Sequence, residues 1–170
     1  MIDDDTKFLV NKYKPKGILV DTNILLLWFI GSVNRQRISQ FNRTEKFTPE
    51  DYTTLVRVLT SFSKIITTPN ILTEISNLVI KDIKKPELPR CFEELTEVLS
   101  TEASFKLEEY YIESRIATKV NKISEFSLTD CSILELARDR YLVLTDDSKF
   151  AGYLTGSGID VVNFNNLRNM

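Results

Sequence analysis

The stretch GILVDTNILLLWF, residues 17–29, decides the fold class because it sets three polar residues between two apolar runs. The run 18–20 is typical of a buried strand, and the longer run that starts at Ile24 is typical of a buried helix. Between them, Asp21, Thr22 and Asn23 predict a tight turn, with Thr22 or Asn23 capping the helix. We therefore expect a strand, a turn and a helix, in which Asp21 either belongs to the helix start or has a chemical role.

The composition excludes several classes of protein. The chain has 170 residues, of which 42% are hydrophobic and 27% are charged, and this predicts one domain with a sizeable core. The net charge of −2 lacks the overall basic signature of a nucleic-acid binder. The absence of histidine excludes Ser-His-Asp triads, histidine-ligated zinc and paired-histidine acid–base chemistry. An enzyme with this sequence would depend on carboxylates.

The sequence favours a cytoplasmic protein without membrane association. Cys91 and Cys131 are far apart, which argues against a disulfide scaffold or a zinc site and suits a reducing compartment. The longest apolar run, 24–30, has seven residues, whereas about 20 are needed to cross a bilayer. The start MIDDDTKF lacks the basic segment and long apolar core of a signal peptide.

The pairing of a short strand with a capped helix recurs along the chain. Thr48 and Asp51 form a capping-box pattern at the start of one helix, and a strand over 64–67 precedes a helix that starts at Thr68 and Pro69. The remaining segments are predicted as a polar and basic connection (31–47), one or two amphipathic helices (91–118), a helix, strand and helix (127–154), and a closing strand (158–164).

This alternation of strands and helices predicts an α/β fold with a mostly parallel central sheet flanked by helices on both faces, a Rossmann-like arrangement of three layers. We expect a single domain over 1–170, with an N-terminal extension at 1–16 and a core at 17–165.

Acidic residues fall where such a sheet builds its sites, at the carboxyl ends of strands near a reversal of strand order. Asp21 follows the first strand, and Asp146 and Asp147 follow a later one. Asp130 heads the apolar stripe of its helix, and Glu74 lies at the edge of the apolar face of another.

Each acid also has an ordinary structural explanation. Asp130 completes a capping-box pattern with Ser127, which would contribute about 0.3–1 kcal/mol. The stem of Glu74 can lie along apolar surface, and Asp146 and Asp147 suit a turn. If the acids converge, however, two charges ~5 Å apart cost about 3 kcal/mol at an effective dielectric of ~20. A raised pKa or a divalent cation compensates this cost, and oxygen ligands without histidine predict Mg²⁺ or Mn²⁺.

Four segments together resemble the motifs of the PIN-domain nucleases, a group of small metal-dependent ribonucleases that includes many toxins of toxin–antitoxin systems. They are LVDTN (19–23), TPNILTEISNL (68–78), SLTDCSILELA (127–137) and LVLTDDSKF (142–150), in that order. The resemblance implies a PIN-like fold and hydrolysis of RNA phosphodiester bonds by metal-activated water. It implies that one or two metal ions bind the acids of the four motifs, with two polar helpers: Asp21, Glu74, Asp130 and one of Asp146 and Asp147 as ligands, Asn23 and Thr145 as helpers.

The last motif raises two further expectations. The family pattern places its main acid two residues after Thr145, at Asp147, so that Asp146 would be a turn residue, a helix cap or an outer-shell partner of the metal. Many family members carry another acid where this chain has Lys149, which puts the second metal in question.

An acidic site needs basic residues elsewhere to hold a polyanion. Two basic clusters could follow the RNA backbone, although both also suit ordinary solvated stretches: Arg35, Arg37, Arg43 and Lys46 in the connection, and Lys81, Lys84, Lys85 and Arg90 after the Glu74 helix. Phe41 and Phe47 could stack on bases, although core or partner-facing roles are more common for such residues.

Other functions and partners stay open. A haloacid-dehalogenase-like phosphatase also uses an aspartate after its first strand, but it requires a second aspartate where this chain has Asn23. A catalytically silent PIN-like module that acts through protein contacts is the third alternative. For a ribonuclease we expect single-stranded or structured RNA as substrate and, for a toxin, an antitoxin protein; a homodimer is left open.

Overall fold

The computed structural model describes residues 4–100, 107–119 and 124–168, and in these ranges it has one five-stranded sheet whose paired strands are all parallel. The strands are β1 (Ile18–Val20), β2 (Ile65–Thr67), β3 (Leu107–Glu109), β4 (Leu142–Thr145) and β5 (Val161–Asn163). Their order is β3-β2-β1-β4-β5, and Ile18 is in register with Ile65 on one side and Leu142 on the other. The strand order therefore reverses between β1 and β4.

The helices are α1 (Asp4–Tyr13), α2 (Thr22–Val33), α3 (Pro49–Leu59), α4 (Pro69–Asp82), α5 (Leu88–Leu99), α6 (Ser114–Ala117), α7 (Leu128–Ala137), α8 (Ser148–Gly156) and α9 (Phe164–Arg168). Every residue of β1, β2 and β4 is buried, so helices cover both faces of the sheet at its centre. The predicted α/β fold with flanking helices is confirmed. None of the helices in the described ranges is both long and apolar enough to cross a membrane.

Most helix starts follow the local sequence signals. Capping boxes join Thr48 to Asp51 at α3 and Ser127 to Asp130 at α7, and Thr68 caps α4 ahead of Pro69. The predicted cap of α2 is wrong, because the N-cap is Asp21 and not Thr22 or Asn23. The turn after β1 is tighter than expected, since the helix begins at the residue that follows Asp21.

The connection after α2 folds back onto the core instead of standing in solvent. After α2 ends, residues Arg35–Gln40 form a 3₁₀ helix. Phe41 and Phe47 are 5% and 1% exposed and belong to the hydrophobic core, so the core role, given above as a more common one, is confirmed and the alternative that they stack on bases is wrong. Their burial is one reason why this polar, basic segment holds a fixed path close to the sheet.

The segment 91–118 contains a strand that the sequence did not predict. Of this segment, 101–106 lies outside the described residues; the rest has the end of α5, then β3 and the short α6. The strand β3 has the sequence LEE and pairs with β2 alone in the sheet order. An edge strand can carry charged side chains because it is not buried on both faces, which explains the acidic pattern.

The predicted N-terminal extension packs on the core through its helix α1. Tyr13 is 5% exposed and belongs to the same hydrophobic cluster as Leu167 near the other end of the described chain. Helices α2 and α3 approach closely at Gly31, where a Cβ atom would lie 2.2 Å from the Tyr52 ring. This contact requires glycine, because any side chain would displace the ring.

Candidate metal centre

The four predicted acids line one pocket at the carboxyl ends of β1 and β4, where the strand order reverses. The pocket has a volume of about 180 Å³. Its lining consists of four carboxylates and the side chains around them: Asp21, Glu74, Asp130 and Asp147, with Thr22, Asn23, Arg43, Leu78 and Ser127. Residues from five different segments of the chain thus meet at this pocket.

Asp21 lies deepest among these acids and is 7% exposed. Its Oδ1 accepts a 2.6 Å hydrogen bond from the Thr22 backbone N–H, and its Oδ2 accepts a 2.6 Å bond from the Thr145 hydroxyl. Burial raises the pKa of Asp21 to about 7. The charges of Asp130 and Asp146 contribute to this rise and the two hydrogen bonds oppose it, so that the pKa of about 7 is the net result.

Asp130 is the second acid whose ionisation the site disfavours. It lies in the first turn of α7, where its Oδ2 accepts bonds from the Ser127 backbone N–H (3.0 Å) and hydroxyl (2.9 Å). Burial raises the pKa of Asp130, and the charges of Glu74 and Asp147 act in the same direction against the Ser127 bonds. The charge of Asp130 therefore opposes the ionisation of Asp21, and the charges of Glu74 and Asp147 oppose the ionisation of Asp130.

Glu74 and Asp147 complete the acidic lining from two segments that are distant in the sequence. Glu74 lies within α4, and its Oε2 accepts a 2.9 Å hydrogen bond from the Thr22 hydroxyl. Asp147 is exposed and caps α8, with its Oδ1 accepting a 2.9 Å bond from the Phe150 backbone N–H. Thr22 was not predicted as a site residue, although its hydroxyl links α2 to Glu74; its place beside Asp21 was the one available sequence signal.

Asp146 is buried behind the pocket and does not appear in its lining. Its Oδ1 accepts a 3.3 Å bond from the Asn23 side-chain amide, and its Oδ2 forms an ion pair with Lys46 that lacks hydrogen-bond geometry. The idea that Asp146 caps the following helix is wrong, because Asp147 is the cap. The two predicted polar helpers contact different acids. Thr145 donates to Asp21, and Asn23 donates to Asp146.

The chemistry of the donor set fits a hard divalent cation. The pocket offers carboxylate and hydroxyl oxygens, and three carboxylates each keep one oxygen that makes no hydrogen bond within the described ranges: Glu74 Oε1, Asp130 Oδ1 and Asp147 Oδ2. In that part of the chain, no three Asp, Glu, Cys or His side chains are arranged so that they could hold a metal ion as they stand. Direct ligation would therefore require rotation of side chains that now serve as caps, or bridging water.

The predicted basic residues divide sharply around the pocket. Arg43 lines it, and it makes no ion pair with another described residue. Arg37 pairs with Glu87, and Arg35 lies over the Tyr52 ring with its Cζ 5.1 Å from the ring centroid. None of the other predicted basic residues in the described ranges lines this pocket: Arg35, Arg37, Lys46, Lys81, Lys84, Lys85 and Arg90.

Sequence reasoning could not place Arg43 at the acids or pair Lys46 with Asp146, because both contacts depend on how the connection folds back. Lys149, which occupies the position of a further family acid, lies with its Nζ 5.3 Å from the centroid of the Phe126 ring and does not line the pocket.

No protein-family model matches the chain, and a search of curated proteins finds no match.

Proposed function

We propose that this chain is a metal-dependent endoribonuclease that hydrolyses RNA phosphodiester bonds with Mg²⁺ or Mn²⁺ held by Asp21, Glu74, Asp130 and Asp147. The observation that carries the proposal is the meeting of these four carboxylates in one pocket at the reversal of strand order. The resemblance of the four motifs to those of PIN-domain nucleases supports the same activity.

A divalent cation bound there would supply a water molecule of lowered pKa and positive charge for a phosphate oxygen. The protein's own residues prepare the pocket for positive charge. The pKa of Asp21, raised to about 7, reflects a carboxylate that is buried among like charges and has no cationic partner among the described residues. Thr22 and Thr145 hold both of its oxygens in place, so its position does not depend on a bound ion.

Substrate binding in this proposal begins with Arg43. Arg43 lines the acidic pocket and makes no ion pair with any described residue, so its guanidinium is available to pair with a phosphate oxygen. RNA as substrate, a toxin role and an antitoxin partner rest on the resemblance to the PIN-domain nucleases. The predicted basic clusters beyond Arg43 lie outside the pocket and would contact RNA only at a distance from the reacting bond.

The geometry does not favour the phosphatase alternative. In a phosphatase of that kind, the aspartate after the first strand attacks phosphorus, but both carboxylate oxygens of Asp21 already accept short hydrogen bonds. The Asn23 amide, at the position of the second aspartate, donates to Asp146. A silent binding module would retain the same caps, so only an assay separates it from an enzyme.

The test compares the wild type with Asp21→Asn and Asp160→Asn on a mixed-sequence single-stranded RNA. We expect cleavage by the wild type and by Asp160→Asn in Mn²⁺ or Mg²⁺, loss of cleavage in chelator, and no cleavage by folded Asp21→Asn. Asp160 is the matched control because it lies at the other end of the sheet, before β5. Hydrolysis of p-nitrophenyl phosphate without RNA cleavage would favour a phosphatase, and no hydrolysis of either substrate would favour the silent module.

A further inference from the structure

A larger groove adjoins the acidic pocket and has a different chemical character. It has a volume of about 500 Å³ and lies between the N-terminal part of α4, from Pro69 to Asn77, and the start of α7. It shares Glu74 and Ser127 with the acidic pocket, so the two are contiguous. The acidic pocket, at about 180 Å³, has room for an ion and a few water molecules, whereas the groove falls within the range of small-molecule sites, about 300–1,000 Å³.

The α4 side of the groove carries a polar stripe. Asn70, Thr73, Glu74 and Asn77 follow the i, i+3, i+4, i+7 spacing that places side chains on one helix face, and all four line the groove. The carboxamides of Asn70 and Asn77 make no hydrogen bond to any residue that the structure describes. Such a carboxamide offers a donor and an acceptor side by side.

The α7 side adds hydroxyl groups and one apolar contact. Ser127, Leu128 and Thr129 line it, and Thr129 is only 9% exposed. Glu74 is the one charged residue in this lining, and its negative charge opposes a phosphate. The rest of the lining, with its amides, hydroxyls and an aliphatic side chain, instead matches the edge of a nucleobase and a ribose.

We infer that this groove binds the nucleoside next to the cleaved phosphate and that Asn70 and Asn77 select its base. The inference rests on the proposed nuclease function, because the acidic pocket then fixes where the reacting phosphate lies. With that phosphate in the acidic pocket, the adjoining nucleoside enters the groove across the wall that the two share, and there an asparagine side chain can bond two positions of one base edge. The chain would therefore cleave with a base preference at one nucleotide beside the reacting bond.

The test sequences the ends that are produced when the wild type, Asn70→Ala, Asn77→Ala and the double variant cleave a single-stranded RNA of randomised sequence in Mn²⁺. Asn166→Ala is the matched control, because Asn166 is exposed on α9 and lines neither the groove nor the acidic pocket. We expect the wild type and the control to prefer one base at a single adjoining position by about tenfold, and the groove variants to lose most of that preference. Stabilisation by Mn²⁺ should stay unchanged in all of them.

The outcomes separate this inference from the function on which it rests. Cleavage by the wild type without a base preference, or with a preference that the groove variants retain, would overturn the base-selecting groove and leave the nuclease standing. Failure of the wild type to cleave any RNA would overturn both. If the double variant unfolds, as judged by circular dichroism, the single variants decide the question.

Discussion

The two ends of the parallel sheet treat their acids in opposite ways. At the amino end of β5, Asp160 accepts hydrogen bonds from Lys12 (2.6 Å) and the Tyr13 hydroxyl (2.9 Å), and these contacts lower its pKa. At the carboxyl ends of β1 and β4, Asp21 and Asp130 lie among other acids, and burial raises their pKa values.

This contrast separates an acid that serves stability from acids that oppose it. An ion-paired carboxylate with a lowered pKa stabilises the folded chain once it is ionised, whereas a buried carboxylate with a raised pKa destabilises it. A fold that retains the second kind at the reversal of strand order carries an energetic cost in a place where ligands bind. That location is why we assign the chemistry to the carboxyl end of the sheet and only structural roles to the amino end.

The largest effect is expected from Asp21→Asn, measured as unfolding free energy against pH in chelator. Because the folded-state pKa of Asp21 is about 7 rather than 3.8, the folded chain holds an extra proton between these values, and stability falls as pH rises through this window. The rise in pKa corresponds to roughly 4 kcal/mol. The unfolding free energy of Asp21→Asn, relative to that of the wild type, should therefore increase by roughly 4 kcal/mol as the pH rises from 4 to 8. The variant should also lose RNA cleavage.

Urea unfolding at several pH values measures this difference. The Asn side chain keeps one acceptor for the Thr22 N–H, and the Thr145 hydroxyl can turn to accept from the amide, so the local fold should survive. If the unfolding free energies of the wild type and of Asp21→Asn change in parallel with pH, the contrast between the two ends of the sheet is wrong.

The second effect distinguishes the adjacent acids after β4. Asp147 lines the pocket, whereas Asp146 is buried outside the lining and contacts Asn23 and Lys46. We expect Asp147→Asn to lower the cleavage rate at least about 100-fold and Asp146→Asn to lower it less. Single-turnover rates in saturating Mn²⁺ check this, and the reverse order would transfer the ligand role to Asp146.

The third effect is stabilisation by metal at the carboxyl end of the sheet. A cation that binds only the folded chain adds about 2.7 kcal/mol to the unfolding free energy at a concentration of one hundred times Kd. Thermal unfolding in Mn²⁺ and in chelator measures it, with Ca²⁺ and Na⁺ at matched ionic strength as controls. If the melting temperature is the same in Mn²⁺ and in chelator, the acids do not share a metal site.

The smallest effect is expected at the amino end of the sheet. Since the pKa of Asp160 is lowered, its stabilising contribution is present above the unfolded-state value of about 3.8 and is lost as pH falls through the lower folded-state pKa. Asp160→Asn should therefore reduce stability slightly near neutral pH and hardly at all in acid, the opposite trend to Asp21→Asn. The loss should shrink in high salt, because the pair with Lys12 is largely exposed. A loss of RNA cleavage in this variant would contradict the assignment of roles to the two ends.

Sequence patterns predicted the fold where local and global signals agree. Buried strands of aliphatic residues and capping boxes such as Thr48 with Asp51 are encoded within a few residues, so their positions could be read directly. The strand β3 was missed because Leu107–Glu109 has two charged residues among three, and its pairing with β2 is a long-range contact. The core role of Phe41 and Phe47 could be given only as one alternative, because a polar segment does not indicate that it folds back.

The site shows the same division. Topology placed Asp21 and the pair Asp146 and Asp147 at one edge of the sheet, and the resemblance to the PIN-domain nucleases favoured Asp147 within that pair. Helix periodicity turned Asp130 and Glu74 toward the same edge, so the acids that line the pocket were predicted. The pairing of Asp146 with Lys46 and the position of Arg43 were beyond reach, because each joins segments that are distant in the sequence. The groove that adjoins the acidic pocket was not predicted, because its asparagines have the pattern of ordinary solvated positions of α4.

Three of the four acids in the pocket also serve helix starts: Asp21 caps α2, Asp130 completes the box of α7, and Asp147 caps α8. If the proposed function holds, a related chain that had lost the activity would still need those three residues for folding. Glu74 lies within α4, accepts one bond from Thr22 and caps nothing, so folding constrains it least. Among related chains, a change at position 74 would therefore distinguish those that keep only the fold from those that also keep the proposed metal-dependent activity.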